Sequence, residues 1–304
     1  MMNRARVRGI DHVGLTVRSL EEAIHDLRNA LGAGLCYIEG PIQDPEPGWM
    51  ARKLGSRGSC ILRVAAMNAL GTNLELFEYA GADRRSWTAT AGEAGTFFLL
   101  LRTPRPERIV SRLFTENAVV RPVEEPVFGY EIALPSGIQL AIQRSTSGDE
   151  DAGRLIGAVC LNRYDYQGAV SELQGTFGLH QAGEVTAFGA SGVLLTGAHG
   201  AQLAVLHGHS PSPRPANSDV GGHHVAFHAD DVDASIDALR LAGGYAARGD
   251  AETITEGPIA GDRWVYLDSP FGLQLELINM PDGMLPYEAE AETRRRPIAA
   301  GVLA

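Results

Sequence analysis

His12-Val13-Gly14-Leu15-Thr16-Val17 and His224-Val225-Ala226-Phe227-His228-Ala229 are the two stretches whose comparison decides the fold. Each reads as a short strand that opens on a histidine. Each is followed by a helix signal. After the first, Ser19-Leu20-Glu21-Glu22 is a capping box by residue type, and Leu20, Ala23, Ile24, Leu27 and Leu31 recur at helical spacing. After the second, Asp231 is placed to cap a helix with apolar Val232, Ile236, Leu239 and Leu241. Further strands follow in both regions: Leu35 to Ile38, Cys60 to Ala66 and Leu74 to Tyr79 in one, Trp264 to Leu267 and Leu273 to Ile278 in the other. Asp268-Ser269-Pro270-Phe271-Gly272 is the turn between the last two. The order is strand, helix, three strands.

Two weaker copies lie between. Thr96 to Arg102, a helix near 104–114, then Gly129 to Leu134 and Gln139 to Gln143 make one, with Pro135-Ser136-Gly137 as its turn. Leu155 to Asn162, a helix near 167–177, then Gly192 to Thr196 and Gln202 to His207 make the other. Asp149-Glu150-Asp151 and the proline-bearing run Ser210 to Ser218 read as linkers. The expected class is α+β, with four βαβββ modules at 9–80, 95–145, 154–208 and 221–280 and a C-terminal tail at 281–304.

The outer modules also share a chemical pattern. His12 and His224 open equivalent strands, and Glu75 and Glu276 each sit between two leucines in equivalent closing strands. A carboxylate flanked by leucines points to the face opposite them, because strand side chains alternate. In the inner modules Thr96 and about Gly157 replace the histidine, and Ala141 and Ala204 replace the glutamate. Histidine and glutamate are present together or absent together, as shared duty at one site requires.

Composition narrows the rest. The chain has 304 residues and 44% hydrophobic content, enough for a sizeable core. Its net charge of -11 and pI near 5.3 exclude a phosphate backbone as a partner. Cys36, Cys60 and Cys160 are widely spaced and read as buried reduced thiols. The N-terminus has no apolar signal region and no run is long enough to span a bilayer, so a cytoplasmic location is expected. Lys53 is the only lysine, which disfavours Schiff-base chemistry, and the arginine-rich bias suggests a bacterial source.

This module pattern resembles the vicinal oxygen chelate superfamily, which includes glyoxalase I, methylmalonyl-CoA epimerase and extradiol dioxygenases. The resemblance covers nearly the whole chain and is strongest in the outer modules. It implies that two modules pair into a cupped mixed sheet around one metal, here modules 1+4, leaving 2+3 as a structural half. It implies His12, Glu75, His224 and Glu276 as ligands to one divalent ion (Zn, Mn, Fe, Co or Ni), with Glu75 or Glu276 as the base. The implied activity is epimerisation or isomerisation: a proton leaves the carbon next to a carbonyl, through a metal-stabilised enediolate. The substrate is expected to be a small hydroxy-ketone, such as the cyclitol 2-epi-5-epi-valiolone, or an acyl-CoA. The rivals are extradiol ring cleavage, a glyoxalase I-type lyase and a sequestering protein without turnover. No nucleic acid or membrane partner is expected, and the chain is expected to be a monomer or homodimer.

His228, Gln274 and Asn73 share faces with the ligands and are candidates for the substrate pocket, or for plain packing and strand ends. Asp11 and His223 face the other way and read as structural. Arg294-Arg295-Arg296 reads as a solvated terminus. The segments from Gly257 to Trp264 and from Met284 to Tyr287 are candidates to close over the cup.

Overall fold

A computed structural model describes residues 5–58, 60–81, 85, 90–113, 118–124, 127–145, 153–209, 214–280 and 285–298. Module 1 comprises β1 (Val7–Thr16), α1 (Leu20–Leu31), β2 (Gly34–Gln43), α2 (Trp49–Leu54), β3 (Ile61–Ala69) and β4 (Thr72–Ala80). Module 2 comprises β5 (Phe97–Thr103), α3 (Pro106–Leu113), β6 (Val119–Val123), β7 (Gly129–Ala133) and β8 (Gln139–Arg144). Module 3 runs from β9 (Leu155–Leu161) through α4 (Arg163–Gly175), β10 (His180–Ala187), β11 (Ala190–Thr196) and β12 (His199–Gly200) to β13 (Gln202–His207). Module 4 runs from β14 (His223–Ala229) through α5 (Val232–Ala242), β15 (Ala246–Ala247), β16 (Glu252–Thr253) and β17 (Arg263–Asp268) to β18 (Gln274–Asn279).

The strands form two mixed sheets. One has the order β15-β17-β18-β14-β1-β4-β3-β2, so modules 1 and 4 share it. The other has the order β10-β11-β13-β9-β5-β8-β7-β6, shared by modules 2 and 3. Each is joined at its centre by the two module-opening strands running antiparallel, β1 with β14 and β5 with β9. The 1+4, 2+3 pairing implied by the resemblance is the observed topology.

Local chemistry explains the helices between the sheets. The Ser19 hydroxyl accepts from the Glu22 amide at 3.3 Å, and Gly32 ends α1 in the left-handed conformation. Asp231 accepts from the Ala234 amide at 3.0 Å to start α5. The apolar faces of α1, α3, α4 and α5 join the inner faces of both sheets in one hydrophobic cluster. Gly157 allows the sheets to close: a Cβ there would lie 2.8 Å from Val13 of the other sheet. The central strands β1 and β14 are buried along nearly their whole length. Cys36 and Cys160 are buried free thiols, whereas Cys60 is only half-buried. Among the described residues no helix is long and apolar enough to cross a membrane.

Candidate metal centre

The register of the central strands carries the site. Gly14 of β1 lies opposite His224 of β14 and beside Glu75 of β4, while Ala226 lies opposite His12 and beside Glu276 of β18. Four long polar side chains therefore converge over two small residues. Gly14 is required by close approach: a Cβ there would sit 1.9 Å from Cε1 of His224.

His12 and His224 are 212 residues apart in sequence, yet their Nε2 atoms lie 3.3 Å apart. His12 Nε2 is also 3.3 Å from Oε2 of Glu75 and 3.3 Å from Oε2 of Glu276, and His224 Nε2 is 3.3 Å from the same Glu276 oxygen. One potential ligand atom from each of the four residues lies within 4.8 Å of all the others, and all four residues are buried. All four sequence-derived ligand candidates thus converge at one point, and the two aligned residues Thr96 and Ala141 of the inner modules stay in the other sheet's half.

The surroundings correct two expectations. Arg295 is not solvated; it is 6% exposed and inserts into the cluster. Its Nη1 donates to Oε1 of Glu75 at 2.6 Å, and its Nη2 forms an ion pair with Asp11. Asp11 belongs to the site too: its Oδ1 is 2.9 Å from Nδ1 of His12. An Nδ1–H donated to Asp11 leaves the Nε2 lone pair facing the other ligands, the arrangement in which a carboxylate orients a metal-binding imidazole. Tyr37 donates to Oε1 of Glu75 at 3.3 Å.

Charge then tests whether the residues fit a cation. Asp11, Glu75 and Glu276 are three buried carboxylates, and among the described residues Arg295 is the one guanidinium paired with them, so negative charge remains for the imidazoles or a bound cation to meet. Buried charge left unpaired is costly, and a divalent cation would neutralise it. Among the described residues, Oε2 of Glu276 and Nδ1 of His224 are buried without a hydrogen-bond partner. The electrostatic pull is visible in His12: burial opposes its charged form, but Glu75, Asp11 and Glu276 together push it up to about 10. Burial and the neighbouring charge of His12 hold His224 below its ordinary value. Imidazole and carboxylate suit Zn, Mn, Fe, Co or Ni.

A cavity of about 290 Å³ opens onto Glu75 and Glu276. Its apolar walls include Trp49, Leu54, Phe77, Ile259 and Trp264, and Tyr37 and Tyr266 supply hydroxyls. Glu39 and Glu252 stand farther out along it. Ile259 and Trp264 bring the 257–264 segment into the wall as expected, and Leu285 and Tyr287 of the tail pack behind it on Tyr37 and Ile259. Met284 and the linkers at 149–151 and 210–213 lie outside the described residues.

Asn73, Gln274 and His228 are not among the lining residues. Asn73 seats the tail, accepting from the Arg296 amide at 2.7 Å and donating to its carbonyl at 3.0 Å. Gln274 donates to the Leu54 carbonyl at 3.1 Å and accepts from Arg214 at 3.0 Å, fixing the end of α2. His228 is buried, and among the described residues its Nδ1 has no partner. His223 binds the Gly221 carbonyl and stacks on Phe97, a structural role.

The protein has the vicinal oxygen chelate fold, with all four modules on one chain. Among solved structures, glyoxalase I from Zea mays superposes with a TM-score of 0.62 at 12% identity, covering 89% of this chain and 92% of that one. A putative dioxygenase from Bacillus subtilis subsp. subtilis str. 168 superposes with a TM-score of 0.60 at 17% identity, covering 91% and 87%. By sequence, a 2-epi-5-epi-valiolone epimerase from Actinomyces sp is 59% identical over 80 residues, which are 26% of this chain and 43% of that protein. No family profile matches the chain.

Proposed function

We propose that the protein is a metal-dependent epimerase that moves a proton on the carbon next to a carbonyl of a small, neutral, polyhydroxylated ketone. The observation that carries this reading is the buried cluster of two histidines and two glutamates, of which Glu75 and Glu276 line the cavity. His12, Glu75, His224 and Glu276 are the residues that would hold the ion. When bound there, a divalent ion supplies Lewis-acid stabilisation of negative charge on the carbonyl oxygen. The protein's own groups do the rest. A carboxylate at the cavity floor accepts the proton, and the apolar walls of Trp49, Phe77 and Trp264 lower the polarity around it.

The wall chemistry separates the candidate substrates. Four glutamates line the cavity and, among the described residues, no lysine or arginine does. An acyl-CoA would bring phosphates to a wall of carboxylates, where Lys53 is already paired with Glu252 at 2.7 Å, whereas a cyclitol ketone brings hydroxyls and one carbonyl. Burial and the nearby Glu75 push the Glu39 carboxyl above its ordinary range, toward the protonated form that donates as well as accepts. The local identity to a cyclitol epimerase supports the same choice.

Two carboxylate ligands also disfavour oxygen activation, which in this fold class uses two histidines, one carboxylate and open positions. The test is to incubate the metal-loaded protein in D₂O with a neutral cyclitol ketone and, separately, with an acyl-CoA thioester. Deuterium gain next to the carbonyl in the ketone alone, without oxygen uptake, is expected. Exchange in the thioester alone, or stoichiometric oxygen consumption with ring cleavage, would overturn the reading.

A further inference from the structure

The two glutamates are not equivalent. Both oxygens of Glu75 are engaged: Oε1 accepts from Arg295 and from Tyr37, and Oε2 faces His12. Arg295 is itself immobilised. Its backbone amide donates to the Tyr287 hydroxyl at 3.0 Å, Asn73 brackets the next residue, and Asp11 takes the second arm of the guanidinium. Glu276 has no such clamp. Its Oε2 faces both histidines at 3.3 Å, and among the described residues no other group donates to its carboxylate. The same asymmetry holds for the imidazoles, since Nδ1 of His12 is held by Asp11 and, among the described residues, Nδ1 of His224 has no partner. Module 1 with the tail clamps its half of the site through Arg295 and Asp11, and among the described residues module 4's half has no such clamp.

We propose that Arg295 divides the two carboxylates by duty: it fixes Glu75 as a permanent ligand and leaves Glu276 to take the substrate proton. This deepens the epimerase reading above and rests on it. In the step, the C–H bond beside the carbonyl breaks, its electron pair moves into an enolate, and the proton forms an O–H bond on Glu276. Solvent water returns a proton to the opposite face of the carbon, and the hydroxide so formed takes the proton from Glu276. No oxidant or reductant is needed. Arg295 touches neither substrate nor reacting atoms; it is a positioning residue.

The experiment compares Glu75→Gln with Glu276→Gln, each in the wild-type and the Arg295→Met backgrounds. The first readout is Co(II) affinity by chelator competition, which needs no substrate. An amide has one oxygen and cannot serve Arg295 and the ion together, so Glu75→Gln should weaken binding about 10–100-fold more than Glu276→Gln. In Arg295→Met the gap should close, whereas a merely structural arginine would lower both affinities and leave the gap intact. Arg295→Lys, a point charge that cannot bridge Asp11 and Glu75 together, should narrow the gap and replaces Arg295→Met if that variant does not fold. The second readout is deuterium exchange with the ketone. Raising Co(II) should restore exchange in Glu75→Gln but leave Glu276→Gln about 10²–10⁴-fold down. Weaker Co(II) binding in Glu276→Gln than in Glu75→Gln, a gap that survives loss of Arg295, or exchange that persists in Glu276→Gln would overturn the proposal. If the wild-type protein exchanges no hydroxy-ketone, the epimerase reading fails, and the affinity order still decides whether Arg295 fixes Glu75.

Discussion

Nη1 of Arg295 lies 2.6 Å from Oε1 of Glu75, a partner 220 residues away in the chain. The pair ties the last described segment to the fourth strand and places a permanent positive charge beside the metal-ligand candidates.

Removing that charge should destabilise the protein in a metal-dependent way. Arg295→Met leaves Asp11 and Glu75 buried without their partner, at a cost of about 3–5 kcal/mol in the metal-free protein. A divalent ion compensates part of that charge, so the rise in Tm on adding metal should be larger in Arg295→Met than in wild type. Thermal melts with and without chelator measure it. Equal metal-induced shifts in the two proteins would count against the charge balance described above.

Gly14→Ala should separate the site from the fold. The new methyl collides with the His224 ring, and overpacking of this kind costs about 1–3 kcal/mol. The expected result is a folded protein by circular dichroism that has lost most of its bound metal. Full metal content in Gly14→Ala would mean that His224 is not held over this strand.

Asp11→Asn should weaken metal binding about 10–100-fold without removing a ligand, because the amide is a poorer acceptor for Nδ1–H of His12 and a poor partner for Arg295. Isothermal titration with Zn or Co checks this. An unchanged affinity would assign Asp11 to the frame alone.

Asp262 offers a pH test of the metal-free protein. It is fully buried, and among the described residues neither carboxylate oxygen has a hydrogen-bond partner. Burial raises its pKa most, Asp11, Glu75 and Glu276 add to the rise, and Arg295 offsets only part, leaving it at about 8. A carboxyl raised above its unfolded value contributes stability that is intact below that value and is lost as pH rises through the folded pKa. Asp262→Asn cannot ionise, so wild type should lose more Tm than the variant between about pH 5 and pH 9. Parallel Tm curves over that range would show that Asp262 does not titrate in this way.

The paired modules and the four ligand candidates were legible because they recur: a histidine and a glutamate in equivalent strands are visible without coordinates. Arg295 was not, since a run of three arginines near a terminus looks solvated when read locally. Its burial depends on a tail that Asn73 and Tyr287 seat against β4 and β2. The available signal was charge: Asp11, Glu75 and Glu276 at one buried point require a cation from somewhere. Besides the two-residue β12, β15 and β16, strands β6 and β10 have no counterpart in the sequence reading, and β6 and β10 are the two edges of the second sheet. Most residues of both are exposed or half-buried, so no apolar run marks them, and Pro122 interrupts β6, as edge strands tolerate. The six-residue α2 was missed because it is too short to show a helical period, although Met50 and Leu54 bury its inner face.

The most direct test of the central claim is elemental analysis of the purified protein and its single-residue variants. The account predicts about one divalent ion per chain in wild type and in the inner-module control Thr96→Ala, and a sharp loss in both His12→Ala and His224→Ala. Full metal content in the two histidine variants would contradict it.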